Sequence, residues 1–389
     1  MTRKPTSTHS LIKSAARSDN FWMKRALDLA QESVGVAHPN PRVGAVLVKN
    51  DQIIGEGYHV YDHHDHAEIV ALKQASAKAR GATLYINLEP CCHKGRTGPC
   101  TSALIEAGVK RVVAAIGDPN PKVAGQGFAQ LRKAGIQVTT DVEADEARRI
   151  NEGFARWITT KLPFVTLKAA LTLDGKIAAR AGQRTQITAK ASQAAVQQLR
   201  HASDALLTGV GTILVDDPRL TDRTGAPRRR PLLRAVVDSQ LRLPLDSELV
   251  RSASEDVLVF TTQSTRSTKA RALADARVEV QRVPARNGRV DLTEVLRELG
   301  RRKMLDVIIE AGAELNGATL AAGIVDKMVL YYAPRIMGTG AVPVAEIPSR
   351  KITNAPALSH ITTYSLGSDF VVEGYFHDVY GNHRAAGEN

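Results

Sequence analysis

His66-Ala67-Glu68, Pro90-Cys91 and Cys100 form the densest chemical pattern in the chain. One imidazole and two thiolates are the donors that hold a tetrahedral zinc ion and leave its fourth position open to water. A water bound there ionises near neutral pH and becomes a nucleophile. Glu68 follows His66 by two residues. From the start of a helix it can enter the same pocket without binding metal and carry a proton between water, a ring nitrogen and a departing amine. H-x-E followed by P-C and a second Cys is the signature of zinc-dependent deaminases. Here the cysteines are nine apart rather than three, with CHKGRTGP between them. Cys100 would open the helix CTSALIEAG, where the positive end of the helix dipole favours a thiolate. A buried histidine and structural thiols would explain each piece alone; the joint pattern favours one catalytic zinc per chain. His59, His63, His64 and His93 are further imidazoles within the stretch; His63 and His64 fall in an irregular polar loop that suits solvent. Cys92 adjoins Cys91, so the two side chains diverge and Cys92 is left out as a ligand.

The second half is chemically sparser. It has no G-x-G-x-x-G after a first strand, so a Rossmann dinucleotide site is unsupported. Small clusters fall at strand ends: Lys168 and Asp174-Gly175, then Gly209, Gly211 and Thr212, then Asp216-Asp217-Pro218 and Arg223, then Glu310-Ala311-Gly312-Ala313. Ligands of open α/β sheets bind at the C-terminal ends of strands. Glycines there let a phosphate approach backbone N–H groups at a helix start. Each cluster alone equally fits a tight turn.

These residues need elements to position them. The chain has 389 residues, enough for two or three domains. Hydrophobic residues make up 43% and charged residues 24%, as in ordinary globular proteins. Ser18-Asp19-Asn20 can cap a first helix whose apolar face is Phe21, Trp22, Ala26, Leu27, Leu29 and Ala30, with Gly35 ending it. VGAVLV and IIGEG read as a strand pair about Asn50-Asp51. HAEIVALKQASAKA, CTSALIEAG and FAQLRKAG read as helices between the strands ATLYINL, RVVAAI and IQVTT. The alternation builds a layered α/β domain with a largely parallel sheet. DVEADEARRINEGFARWITTK reads as one closing helix, with a hinge near residues 145–162. A second alternation follows, with strands FVTLKAA, DALLTG, LLRAVV, VLVF, VEVQRV, VIIEAG, KMVLYYAP and DFVVEGYFHDV. The expected units are a flexible basic arm at 1–18, a domain at 19–150 that carries the zinc pattern and a second α/β domain at 160–378.

The formal charge is +12, divided as +5 over residues 1–150 and +7 over the rest. Such an even spread forms no stripe for nucleic acid. Base editors need a basic groove with stacking aromatics, and aromatics are only 4% here. No apolar run is long enough for a membrane helix. Three cysteines crowded between Cys91 and Cys100 fit a reducing compartment, the cytoplasm, better than secretion. The expected partner is a small phosphorylated molecule, with neither nucleic acid nor membrane, and the chain is expected to self-associate.

HPNPRVGAVLV, GEGYH, DHAE, LEPCCHKGRTGPC and DPNPKVAGQG, in that order, resemble the deaminase half of the bifunctional riboflavin-biosynthesis deaminase/reductase family. KAALTLDGKIA, ITAKAS, LRHASDALLTGVGTILVDDPRLTDR, RAVVDS and IIEAGAELNGATL are similar to its reductase half. The match runs from about residue 20 to about residue 375. It departs at Asp65, Cys92 and Gly98, where the family has Pro, Ser and Pro. It departs again at Gln186, where a tryptophan is common. The resemblance implies a cytidine-deaminase-like three-layer α/β domain followed by a dihydrofolate-reductase-like α/β domain. It implies zinc on His66, Cys91 and Cys100, proton transfer by Glu68, and substrate contacts at Asn40, His59 and Arg96. For the second half it implies NADPH contacts at Ala170, Thr212, Asp216, Ser239, Gly312, Ala313, Glu314, Leu315, Asn316, Gly317 and Ala318. Substrate contacts are implied at Lys168, Arg200, Leu220, Arg223 and Glu310, with Arg184 and Gln186 as further candidates. The implied activities are hydrolytic deamination of a phosphoribosylaminopyrimidine and NADPH-dependent reduction of its ribosyl group. A second half that has lost catalysis and only binds or assembles is the alternative.

Overall fold

A computed structural model describes residues 17–94, 98–348 and 354–381. The basic arm, apart from Arg17 and Ser18, lies outside the described residues.

The N-terminal unit runs α1 (Asp19–Glu32), β1 (Gly44–Lys49), β2 (Gln52–Tyr58), α2 (Ala67–Ala75), β3 (Thr83–Leu88), α3 (Cys100–Glu106), β4 (Arg111–Ile116), α4 (Gln126–Lys133), β5 (Gln137–Thr139), α5 (Ala144–Ile150) and α6 (Glu152–Thr160). Its sheet has the order β2-β1-β3-β4-β5. Ser18 caps α1 by accepting the Phe21 N–H. Phe21 is half exposed, and Met23 occupies the core place expected of it. Asn50 and Asp51 both take positive φ, which is the twist a two-residue hairpin requires. That hairpin corrects the expectation of a largely parallel sheet. β1 is antiparallel to β2 because the turn is short. It is also antiparallel to β3, because the α2 crossover returns the chain parallel to β2 on the far side of β1. Only β3, β4 and β5 run parallel. α2 lies directly on the backbone of β2: a Cβ on Gly55 would stand 2.2 Å from the Ala71 carbonyl oxygen.

The expected single closing helix is broken at Asn151. Its buried side-chain amide donates to the Arg42 carbonyl at 3.0 Å and accepts the Arg42 N–H at 2.8 Å. The competing side-chain bonds end α5 and restart the chain as α6.

The C-terminal unit continues with β6 (Phe164–Thr172), β7 (Lys176–Ala178), α7 (Lys190–Ala202), β8 (Ala205–Gly209), α8 (Val210–Asp216), β9 (Leu233–Val237), α9 (Glu248–Arg251), β10 (Val257–Thr261), α10 (Thr268–Asp275), β11 (Val278–Arg282), β12 (Ala285–Arg286), β13 (Arg289–Val290), α11 (Leu292–Arg301), β14 (Asp306–Ile309), α12 (Ala313–Ala321), β15 (Lys327–Ala333), β16 (Val342–Pro343), β17 (Ser359–Leu366) and β18 (Asp369–Tyr375). Nine strands form one sheet in the order β11-β10-β9-β8-β14-β6-β15-β18-β17. All neighbours are parallel except β15–β18 and β18–β17. The strands alternate faces: Leu207 packs with Val295 and Leu299 of α11, while Leu206 packs with Val210, Ile213 and Leu273 on the opposite side. β17 was not anticipated. Its sequence, SHITTYSL, is exposed almost throughout and carries no buried face to reveal it.

The two units meet along a polar seam. His38 Nδ1 lies 2.9 Å from Asp204 Oδ2, and Arg42 Nη2 lies 3.0 Å from Asp306 Oδ2. Arg42 also donates to the Ala202 carbonyl at 2.7 Å. Arg229 pairs with Asp62 and stacks over Tyr61. α6 packs into the second unit, where Trp157 donates to the Gly300 carbonyl at 2.9 Å. Residues 145–162 thus form two packed helices that touch both units. Among the described residues no helix is long and apolar enough to cross a membrane.

Candidate active sites

His66 caps the start of α2, and Cys100 is the first residue of α3. Cys91 follows β3 across Glu89 and Pro90. Two helix starts and one strand end therefore converge. The donor atoms of His66, Cys91 and Cys100 all lie within 4.8 Å of one another, the spacing that suits one shared ion. His66 Nδ1 faces both sulfurs, at 3.2 Å from Cys100 and 3.5 Å from Cys91. The Cys91 sulfur also accepts the Cys100 N–H at 3.4 Å. Hydrogen bonds with the Cys100 thiol and, against the opposing effect of burial, His66 lower the Cys91 thiol below its ordinary value, which favours the thiolate form that binds metal. Glu68 lies in the first turn of α2 and is 3% exposed. Burial pushes its carboxyl above the usual range. A donor set of one imidazole and two thiols, with a buried carboxyl beside it, fits zinc.

His66, Glu68 and Cys91 line a cleft of about 320 Å³, with Cys100 buried behind them. Asn40 enters it from the proline-flanked loop and bonds His59 Nε2 at 3.0 Å. The other ring nitrogen of His59 contacts the Asp65 carbonyl at 2.9 Å. His59 sits edge-on to His66 with ring centres 5.3 Å apart. His93 lines the cleft, whereas Cys92, His63 and His64 are not part of the ligand cluster. Arg96 lies outside the described residues. The cleft also contains residues given no role from the sequence: Asp118 and Asn120 after β4, Phe154, Trp157 and Ile158 of α6, and Lys303 of the second unit. DPNPK held the first pair in view without a chemical pattern to single them out. Nothing in the local sequence could place α6 or Lys303 there. Glu89 holds the 118–128 segment by accepting the N–H groups of Asp118, Gly125 and Phe128 at 2.9–3.1 Å.

In the second unit three elements bring charges together on the α7 side of the sheet. Lys168 comes from the middle of β6, Arg200 from the last turn of α7 and Glu310 from the end of β14. Arg200 forks onto Glu310 at 2.6 and 3.0 Å, and Lys168 Nζ lies 3.4 Å from the same carboxylate. Burial alone would raise the Glu310 carboxyl, but the Lys168 and Arg200 charges bring it down to about 2. It is therefore ionised at neutral pH. Ala170 lies two residues beyond Lys168 on the same face of β6. Leu220 is buried with φ +55, and Arg223 is exposed, its N–H bonded to Gln197 at 2.9 Å.

Thr212 and Asp216 lie in α8. Asp216 Oδ1 is buried without a hydrogen-bond partner, and burial pushes the carboxyl up. Such an acceptor can take a hydrogen bond from a ligand donor or from water. The Ser239 hydroxyl accepts the Val290 N–H at 3.0 Å. Gly312 caps α12. The run to Ala318 is not one surface. Asn316 and Gly317 are buried against the 344–346 segment, with Asn316 donating to the Val344 carbonyl at 2.8 Å, while Glu314 is exposed and pairs with Arg289. Gln186 is exposed and bonds the Thr188 carbonyl. Arg184 is the charge acting on Asp216.

The family model for the RibD C-terminal domain matches residues 163–372. That for the cytidine and deoxycytidylate deaminase zinc-binding region matches residues 16–116. The riboflavin biosynthesis protein RibD of Actinobacillus pleuropneumoniae is 40% identical over 92% of this chain and 95% of its own length. That of Escherichia coli K12 is 39% identical over 90% of this chain and 97% of its own. The solved structure of Acinetobacter baumannii RibD superposes with a TM-score of 0.81 at 36% identity, covering 92% of this chain and 98% of that one. A Thermotoga maritima structure described as a diaminohydroxyphosphoribosylaminopyrimidine deaminase and 5-amino-6-(5-phosphoribosylamino)uracil reductase gives 0.80 at 35% identity. The N-terminal unit is thus cytidine-deaminase-like and the C-terminal unit dihydrofolate-reductase-like, and the chain belongs to the RibD family of bifunctional riboflavin-biosynthesis enzymes, which join a zinc-dependent deaminase to an NADPH-dependent reductase.

Proposed function

We propose that residues 19–150 deaminate 2,5-diamino-6-ribosylamino-4(3H)-pyrimidinone 5′-phosphate and that residues 160–378 reduce the ribosyl group of the product to ribityl. The observation that carries the first step is the convergence of His66, Cys91 and Cys100 at a cleft that His66 and Cys91 line together with buried Glu68. Held by those three residues, zinc supplies the Lewis acidity that lets water ionise near neutral pH. Glu68 passes one proton of the attacking water to the ring nitrogen, and then passes the second, from the hydroxyl now on the ring carbon, to the 2-amino group. The C–N bond breaks, ammonia leaves, and oxygen remains on the ring carbon. Asn40 and His59 hold the pyrimidine edge, with Arg96 on the ribosyl phosphate.

For the second step NADPH, when bound, supplies a hydride for C1′ of the ring-opened imine. Ala170, Thr212, Asp216, Ser239 and the start of α12, from Gly312 to Ala318, hold the cofactor. Lys168 orients the sugar and furnishes the proton that the imine nitrogen takes up. Glu310 holds Lys168 in place through their ion pair. Arg200 and Arg223 take the phosphate, a task suited to guanidinium forks. The orphaned Asp216 oxygen and the Lys168–Glu310–Arg200 cluster support a catalytic rather than merely scaffolding second unit. A cytoplasmic location agrees with three thiols free of disulfides. Self-association agrees with the exposed edge strand β17.

The test is a product assay with the diaminopyrimidine phosphate, with and without NADPH. Ammonia release alone without NADPH, and ribityl product with it, is the expected result. Ammonia release with no NADPH oxidation on the deaminated product would leave only the first half of the proposal standing.

A further inference from the structure

The deaminase cleft is completed by a residue of the other unit. Lys303, in the turn between α11 and β14, lines it beside Trp157 and Ile158. Its ammonium has no hydrogen-bond or ion-pair partner among the described residues. The other formally charged groups in the lining are acids: Glu68, Glu89 and Asp118. Lys303 is therefore the one permanent cation among the described lining residues.

Its position is fixed from the same point that fixes the opposite loop. Asp204 Oδ2 accepts the Leu305 N–H at 2.6 Å and contacts His38 Nδ1 at 2.9 Å. Leu305 is two residues past Lys303, and His38 is two residues before Asn40. One buried carboxylate oxygen thus sets the separation between an amide and a cation that face a common cleft. The Lys303 carbonyl is held in addition by Arg230 Nη2 at 3.1 Å.

We infer that Lys303 is a specificity residue for deamination: its ammonium binds the substrate's phosphate, so the reductase unit completes the deaminase site. The inference rests on the deaminase reading above. A phosphate dianion is repelled by Glu89 and Asp118 and drawn to the Lys303 ammonium, which orients the amino-bearing ring toward Glu68. The binding is charge-assisted and independent of the bond-breaking step, so it acts on KM.

The zinc-loaded enzyme and its Lys303→Met and Lys303→Arg variants are compared on the phosphorylated substrate and on its dephosphorylated riboside. Lys303→Met should raise KM for the phosphate ester about tenfold or more, with kcat changed less than about twofold. Riboside kinetics should not change, and Lys303→Arg should restore the ester's KM. Reduction of the deaminated product by the same samples reports correct folding. A KM change equal for ester and riboside, or absent for both, overturns the role of Lys303 and leaves the deaminase reading intact. Failure of the unaltered enzyme to release ammonia from the ester overturns both.

Discussion

In the deaminase unit His66 and Cys100 stand 34 residues apart, and each sits at a helix start; in the reductase unit Lys168 and Glu310 stand 142 residues apart and meet only because β6 and β14 are neighbours. The first site is set by local elements, each of which delivers one donor. The second is set by the order of strands in a nine-stranded sheet. A locally built site leaves its spacing in the sequence. A site built from the sheet leaves only isolated charges at strand and helix ends. The two sites should accordingly respond independently to changes within either, and jointly to changes in the seam between them.

Glu68→Gln is the largest expected separation. Deamination should fall by about 10³-fold or more while zinc content and product reduction are retained. Ammonia release, metal analysis and NADPH oxidation on one sample check this. Loss of zinc would show that Glu68 is a ligand. Glu310→Gln is the converse change. It leaves the buried Lys168 and Arg200 without their carboxylate, and reduction should fall on the order of 100-fold with deamination intact. Equal loss of both activities would mean that the change unfolds the chain.

The seam gives the third test. Asp204 is buried, which alone would raise its carboxyl. The charge and hydrogen bond of His38, the Leu305 N–H and Arg230 bring it down to about 2 instead, from an ordinary 3.8. A carboxyl lowered on folding stabilises the fold above its unfolded value, and that contribution is lost as pH falls toward 2. The stake is roughly 2 kcal/mol. Between pH 5 and 2 in denaturant titrations, Asp204→Asn should flatten that part of the stability profile and should raise KM for deamination even at neutral pH. An unchanged profile would remove Asp204 from the coupling of the two units. The smallest effect is expected of Asp216→Ala, which should raise KM for NADPH about tenfold without touching deamination. An unchanged KM would place the cofactor elsewhere along the strand ends.

Much of the architecture was legible in residue patterns. The Asn50-Asp51 hairpin, the capped first helix and the parallel strands of the second unit carry apolar runs or turn residues that have few other uses. The order of β1 between β2 and β3 was not legible, because strand pairing depends on the crossover rather than on any one strand. The Asn151 break was hidden for a related reason: the partner of that amide, Arg42, lies 109 residues away. β17 was missed because an exposed polar edge strand is held by backbone hydrogen bonds, which side-chain patterns do not record.

The grouping of His66, Cys91 and Cys100 was legible in the sequence itself, since metal coordination permits few residue types and helix starts place His66 and Cys100 within a short span, with Glu68 in the first turn of α2. Only the tertiary structure decided that α6 and Lys303 wall the same cleft, that one oxygen of Asp204 ties the His38 loop to the Lys303 turn, and that Glu310 is kept ionised by Lys168 and Arg200. Those are long-range electrostatic and packing relations, fixed by which segments fold against one another and by how far water is excluded between them.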